Sequence, residues 1–213
     1  MRLQDDIHIW ASQLKMIVEP VKLEGKHVRL EPLSLEHHAD LCEAGLHAQI
    51  WQWSPEPIQT NQDMQRYIQT ALDEQARGVS LPFATVERSS GKAIGSTRFG
   101  NIAVHDKRVE IGWTWITPEW QRTFVNTEAK YLMLKHAFEV WECNRVEFKT
   151  DALNERSRNA ILRIGAKPEG IFRHHMITES GRLRDSAYFS IINTEWPDVK
   201  VTLEEKAGIA TVE

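Results

Sequence analysis

Val109-Glu110-Ile111-Gly112-Trp113-Thr114-Trp115-Ile116-Thr117-Pro118 is followed, after a short polar stretch, by the segment Asn126 to Glu142. These two pieces decide how the 213-residue chain is read. β-Branched and aromatic residues dominate 109–116, which predicts a strand stopped by Thr117-Pro118. Ala129, Leu132, Met133, Ala137, Phe138 and Val140-Trp141 recur at helical spacing, so 126–142 reads as a helix with a wide apolar face. Arg145 to Thr150 alternates once more as a strand. The central unit is therefore strand, helix, strand, inside a sheet that is otherwise antiparallel.

On the N-terminal side, Val21, Leu23, Val28, Leu30 and Leu33 suggest two extended pieces joined at Gly25. Ser34 starts a helix running toward Gly45. Met64, Ile68, Ala71 and Leu72 mark a second helix over 61–77, ended by Gly78. Between them, Ile50 to Pro57 carries Trp51, Trp53 and two prolines and reads as a loop. Phe83 to Glu87 and Ala93 to Arg98 are strands around Ser89-Ser90-Gly91-Lys92, and Gly100 to Arg108 is expected to break or bulge. On the C-terminal side, Asn154 caps a helix through Ile161 and Ile164 to Gly165. Gly170 to Ile177 and Asp185 to Ile192 form a hairpin around Glu179-Ser180-Gly181. The expected organisation is an N-terminal extension (1–20), one α/β (α+β) domain (21–200) and a peripheral charged tail (201–213).

With 41% hydrophobic and 26% charged residues, the chain has the balance of a soluble globular domain. A net charge of −4 gives no global basic surface, so nucleic acid is not an expected partner. No run of about 18 apolar residues is present to span a membrane. Met1 to Trp10 does not resemble a secretory signal, and a cytoplasmic protein is the expectation. Cys42 and Cys143 lack metal-ligand spacing and are expected to be reduced. The pairs His37-His38 and His174-His175 are poor chelates where neighbours point to opposite faces. No metal is expected.

A strand that runs through a polar turn into a long helix leaves backbone N–H groups without partners in the chain. With the helix dipole, they make a site suited to phosphate or pyrophosphate. Gln121-Arg122-Thr123-Phe124-Val125-Asn126-Thr127-Glu128-Ala129-Lys130 resembles the coenzyme A pyrophosphate loop of GCN5-related N-acetyltransferases, and more closely that of the RimJ/RimL-type branch. Three further pieces match in order. They are Glu110-Ile111-Gly112, then Asp151 to Ser157 followed by Ala160-Ile161 and Gly165-Ala166, and finally Gly181 to Asp185 with Phe189-Ser190. The resemblance covers about residues 21–197. One departure stands out: Phe124 and Asn126 occupy positions where the family loop has small residues, glycine above all, that let backbone approach phosphate.

The resemblance implies a mixed, mostly antiparallel sheet of about seven strands. Its two central parallel strands splay apart, and helices cover both faces. It implies acetyl-coenzyme A as co-substrate and a primary amine as acceptor, attacked directly through a tetrahedral intermediate. Backbone at Trp115 and Ile116 would pair with the pantetheine arm. N–H groups of Gln121, Arg122, Thr123, Phe124, Val125, Asn126 and Thr127 would hold the pyrophosphate, helped by the charges of Arg122 and Lys130. Asn154 would bond the pantetheine, and Ser157 would return a proton to the thiolate. A homodimer is among the assemblies the resemblance allows.

Amine attack needs a base, because a lysine amine titrates near 10.4 and an α-amine near 7.7–8.0. Glu110 is the first candidate, with a surface carboxylate paired to Arg108 or Lys149 as the plain alternative. Trp51, Trp53, Trp113 and the hairpin around His175 are candidates for the acceptor pocket. A non-catalytic acyl-coenzyme A sensor on the same fold is the second reading, and an enzyme modifying antibiotics or toxins differs only in acceptor. Gly91-Lys92-Ala93-Ile94-Gly95-Ser96 has the wrong order for a nucleotide-binding P-loop, and no Gly-x-Gly-x-x-Gly occurs.

Overall fold

The computed structural model describes residues 16–209. The chain enters as β1 (Leu23–Glu24) and β2 (Val28–Pro32), then three helices, α1 (His38–Gly45), α2 (Ala48–Trp51) and α3 (Asn61–Ala76). A meander follows, β3 (Ser80–Glu87), β4 (Ala93–Ala103) and β5 (Arg108–Ile116). Next come α4 (Phe124–Lys135), β6 (Arg145–Asp151), α5 (Glu155–Arg163), the hairpin β7 (Lys167–Ile177) and β8 (Leu183–Ile192), and α6 (Trp196–Ala207). The strands form one sheet in the order β1-β2-β3-β4-β5-β6-β8-β7. Only β5 and β6 run parallel, and α4 is the crossover between them.

Strand alternation sends Val109 and Ile111 of β5 and Val146 and Phe148 of β6 to one face. They pack there with Val125, Ala129 and Met133 of α4, Ile161 of α5 and Leu203 of α6. Each fully buried side chain of this kind contributes about 1.5–3 kcal/mol. A second core lies on the opposite face under α1–α3, where Leu41, Met64 and Ile68 meet Ala84, Val86 and Trp115. That second layer covers β3, β4 and the end of β5. Caps fix the helix starts. Thr60 Oγ1 accepts the Asp63 N–H at 3.1 Å, and Asp63 Oδ2 accepts the Thr60 N–H at 2.8 Å.

Several expectations change. Among the described residues the sheet has eight strands, counting the short β1 paired with β2, and the irregularity expected after Gly100 is a register shift between Gly100 and Ala103 within β4. The central helix begins at Phe124, two residues earlier than read, and widens into a π turn over His136–Val140. Ala48–Trp51 is one turn of helix rather than loop. Residues 201–207 of the expected charged tail belong to α6, so the expected boundary at residue 200 falls inside a helix. Its Trp196, Val199, Leu203 and Ala207 are buried, a stripe at helical spacing beneath a charged exterior. Most of the expected N-terminal extension lies outside the described residues. Met16 is buried in the first core, and the Ile17 carbonyl accepts the Trp141 Nε1–H at 3.0 Å.

Candidate active site

The β5–β6 ladder pairs Arg108 with Arg145, Val109 with Val146 and Glu110 with Glu147, and there it stops. Both strands continue, to Ile116 and Asp151, without pairing. The divergence coincides with a bulge. The β4 register jumps from Ser96–Trp115 to Arg98–Gly112, so Thr97 faces the two residues Trp113 and Thr114. Trp113 takes φ +50°, a left-handed conformation that bends β5 away from β6. A cleft between the parallel strands results. At Gly95 the paired strands come so close that a Cβ would collide with the Trp115 carbonyl oxygen.

Two helix N-termini stand at the mouth of the splay, because β5 leads to α4 and β6 to α5. The turn Pro118–Trp120 passes through Gln121 and Arg122 (φ +64°) to Thr123, whose Oγ1 accepts the Val125 N–H at 3.3 Å. The neighbouring N–H groups of the first helical turn point out of the helix. Phe124 sits in the helix with its ring packed against His27, at 4.2 Å between centroids, and Trp120, at 6.1 Å. The bulky residue thus faces the core, and the positive φ of the loop falls on Arg122 instead. The Gln121 side chain donates to the Ile116 carbonyl at 2.8 Å and accepts from Arg156, spanning the mouth. One backbone acceptor of Ile116 is thereby engaged. Asn154 caps α5, its Oδ1 accepting the Ser157 N–H at 3.0 Å. Ser157 is half-buried in that first turn.

Lys130 corrects an expectation. It lies buried under the sheet, where its Nζ reaches Thr114 Oγ1 at 2.5 Å and Thr97 Oγ1 at 3.2 Å. It braces the bulge from below and offers no charge to the mouth. Burial without a carboxylate pushes its amine down to about 7.

On the opposite face of β5, Glu110 is only 3% exposed. Its Oε2 accepts from Asn101 Nδ2 at 2.7 Å and lies 3.4 Å from Lys149 Nζ. Arg108 is committed elsewhere, to Glu147 at 3.0 Å. Glu110 is therefore a buried carboxylate rather than a surface one, and it lines a cleft of about 320 Å³ with Asn101, Glu147, Phe172 and Tyr188. His175 stands nearby, its Nδ1 3.0 Å from Ser186 Oγ and its Nε2 3.5 Å from Tyr188 Oη. Desolvation first, then the charges of Lys149 and Arg184, hold its imidazole below the usual pKa and favour the neutral ring.

The three tryptophans separate. Trp51 is buried in the second core, its Nε1–H donating to the Gly45 carbonyl at 2.7 Å and its ring 5.4 Å from Trp115, so it lines no pocket. Trp113 is 41% exposed and forms a wall of the open face, stacked 5.0 Å from the Arg98 guanidinium. Trp53 lies 5.8 Å from the Arg182 guanidinium, and the adjacent Pro55 carbonyl accepts the Glu179 N–H at 3.0 Å. The loop after α2 therefore bridges to the tip of the β7–β8 hairpin.

Residues 27–167 match the family described as the acetyltransferase (GNAT) domain. A splayed parallel pair with a helix N-terminus at its mouth accompanies that match. The chain belongs to the GNAT family. The crystal structure of a GCN5-related N-acetyltransferase from Brucella melitensis is 32% identical, with a TM-score of 0.83 over 89% of this chain and 86% of that one. A Bacillus subtilis protein named "Putative ribosomal N-acetyltransferase YdaF" is 32% identical over 110 residues, 52% of this chain and 59% of the relative. That match spans less than two thirds of the relative's length. Mycobacterium smegmatis RimJ in complex with CoA-disulfide is similar in fold, with a TM-score of 0.73 at 22% identity over 90% of this chain and 94% of that one. This GNAT chain is thus an acetyltransferase, and the GNAT fold uses acetyl-coenzyme A.

The residues present fit that co-substrate. The splay offers an unpaired strand edge, and the Phe124 ring does not obstruct the first turn of α4. Among the described residues, no group of three or more His, Cys, Asp or Glu is arranged to hold a metal. Around Glu110 the GNAT cleft gathers residues that sequence reading missed as a site, Asn101 and Tyr188, together with Lys149, the ion-pair partner of the plain alternative. They come from β4, β6 and β8, and only the strand pairing brings them together. Alternation within Arg145–Thr150 puts Lys149 on one face with Arg145 and Glu147, and of the two ion pairs in the plain alternative the one with Lys149 is present, at 3.4 Å.

Proposed function

We propose that this protein transfers an acetyl group from acetyl-coenzyme A to a primary amine, a peptide N-terminus or a small molecule. The observation that carries the reading is the ladder that ends at Glu110–Glu147 while both strands run on, with the start of α4 at the open end. The N–H groups from Gln121 to Thr127 hold the pyrophosphate, those of Gln121 and Val125 being shared between it and, respectively, the Pro118 carbonyl and Thr123 Oγ1, and the helix dipole adds attraction for the anion. The free edge of β5 at Trp115 and Ile116 takes the pantetheine amides as an added strand would. Asn154 keeps its Nδ2 donor for the same arm while its Oδ1 caps α5.

The co-substrate supplies an activated acyl thioester. The rest is done by the chain. Glu110 takes the proton from the acceptor ammonium, directly or through one water, so that the free amine attacks the carbonyl. Asn101 and Lys149 fix the orientation of that carboxylate. A backbone N–H near Trp115 or Ile116 stabilises charge gathering on the thioester oxygen. Ser157, at the start of α5, gives a proton to the departing thiolate as the C–S bond breaks and takes one from the acceptor nitrogen, leaving amide, thiol and a protonated Glu110. Trp113, Trp53 and His175 border the face from which the amine approaches.

Calorimetry with coenzyme A, followed by thiol release across a panel of peptides and small amines, tests the reading. It expects binding together with amine-dependent thiol release. Binding without release from any amine would favour an acyl-coenzyme A sensor, and absence of binding would overturn both.

A further inference from the structure

Three cations and two carboxylates gather on the sheet face that carries Glu110. Lys149 belongs to Glu110, 3.4 Å away. Asp151, fully buried at the end of β6, is bonded directly by Arg182 and accepts the Leu153 N–H at 3.0 Å. Arg184 is left over. It is 94% buried on β8, and its Nε approaches Asp151 only to 3.8 Å, too far for a hydrogen bond. That Nε is buried without a hydrogen-bond partner. Alternation along β8 puts Arg184 on the sheet face of Ser186 and Tyr188, and Tyr188 lines the cleft beside Glu110. A buried guanidinium that only shares a carboxylate already bonded by Arg182 is incompletely compensated, which is costly, and its rigid fork matches a carboxylate.

We infer that Arg184, flanked by Arg182, is an anion subsite for the acceptor, which carries a carboxylate close to the amine that is acetylated. The inference rests on the acetyl-transfer reading of the same cleft. It adds a substrate class: amino acids, or peptides with an acidic side chain beside the N-terminus, in preference to neutral or polycationic amines. The carboxylate is held at Arg184 while the amine reaches Glu110. Arg182 is less free, being bound to Asp151 and stacked near Trp53, and it positions the wall of the subsite.

The test uses the whole protein loaded with coenzyme A and two pairs of probes, each pair differing by a carboxylate against an amide: Ala-Asp-Ala-amide with Ala-Asn-Ala-amide, and alanine with alaninamide. Calorimetry is expected to show the acidic member of at least one pair binding at least about tenfold more tightly, as a charge-assisted hydrogen bond allows. Preference within the peptide pair identifies an acidic side chain as the source. Preference within the second pair identifies a free α-carboxylate. Arg184→Gln should reduce the preference to within about threefold, and Arg184→Lys should retain part of it, while coenzyme A affinity is unchanged in both. Should Arg184→Gln fail to fold, the wild-type discrimination and Arg184→Lys still decide. Equal affinity within both pairs, no binding of any probe, or a preference that survives Arg184→Gln overturns the subsite. Thiol release from acetyl-coenzyme A is read separately. A charge preference in binding, with no thiol released from any amine, would uphold the subsite and reject the acetyl-transfer reading.

Discussion

Two glutamates, each almost wholly removed from water, have opposite surroundings. Glu128 on α4 points at the β1–β2 turn, where its carboxylate accepts from the N–H groups of Lys26, His27 and Val28, the last at 3.0 Å. Every donor is backbone, fixed in place, and the neighbouring Gly25 leaves no room even for a Cβ. Glu110 on β5 has one side-chain amide and one lysine as partners, and a cleft beside it. Burial alone does not make a carboxylate chemical. Glu128 is satisfied and sealed, whereas Glu110 is held by movable side chains on a surface that a substrate can reach.

The largest effect should come from breaking the second of these. Glu110→Gln keeps the shape and the Asn101 contact but removes the base, so kcat should fall by about 10²- to 10⁴-fold while the urea midpoint hardly moves. Thiol release and an unfolding curve on the same preparation check it. Glu128→Ala reverses the pattern. Three buried N–H groups lose their acceptor, a loss of about 3 kcal/mol or more in unfolding free energy, with activity per folded molecule retained.

Lys130 sharpens the contrast by adding a buried cation. Its amine titrates near 7 in the folded protein and near 10.4 in the unfolded chain. The unfolded state therefore binds more protons between those values, and stability should rise with pH across that window. The penalty is full below about 7 and gone above about 10. In Lys130→Met, denaturant unfolding at pH 6 should show a more stable protein than the parent, and the gain should shrink toward pH 10. The smallest effect is expected at Ser157. Ser157→Ala should slow turnover by about tenfold and leave acetyl-coenzyme A affinity unchanged, since its N–H still bonds Asn154.

The same contrast explains what sequence could reveal. The strand at 109–116, its crossover helix and the N-terminus that helix offers were legible, because period and stop signals are local. So was the cap at Asn154. Glu110 could be placed on the right strand with Lys149 as a candidate partner, but Tyr188 and Arg184 could not be placed around it. Their proximity is set by the β6–β8 pairing, which joins residues about forty positions apart. Trp51 misled because prolines nearby suggest a loop, whereas one helical turn carries its ring onto Trp115. Lys130 misled because a lysine in a phosphate loop invites a charge role, and its side-chain direction was set by the turn of α4. The helix α6 was recoverable: Trp196, Val199, Leu203 and Ala207 follow one face, hidden by the charge between them.

The central claim is that the first turn of α4 and the free edge of β5 grip coenzyme A. Backbone amide chemical shifts recorded by NMR while coenzyme A is titrated in address it directly. The account predicts the largest shifts at Phe124, Val125 and Asn126, with a second group at Trp115 and Ile116. Shifts that leave those amides unmoved, or that gather on α6 and the outer sheet, would contradict it.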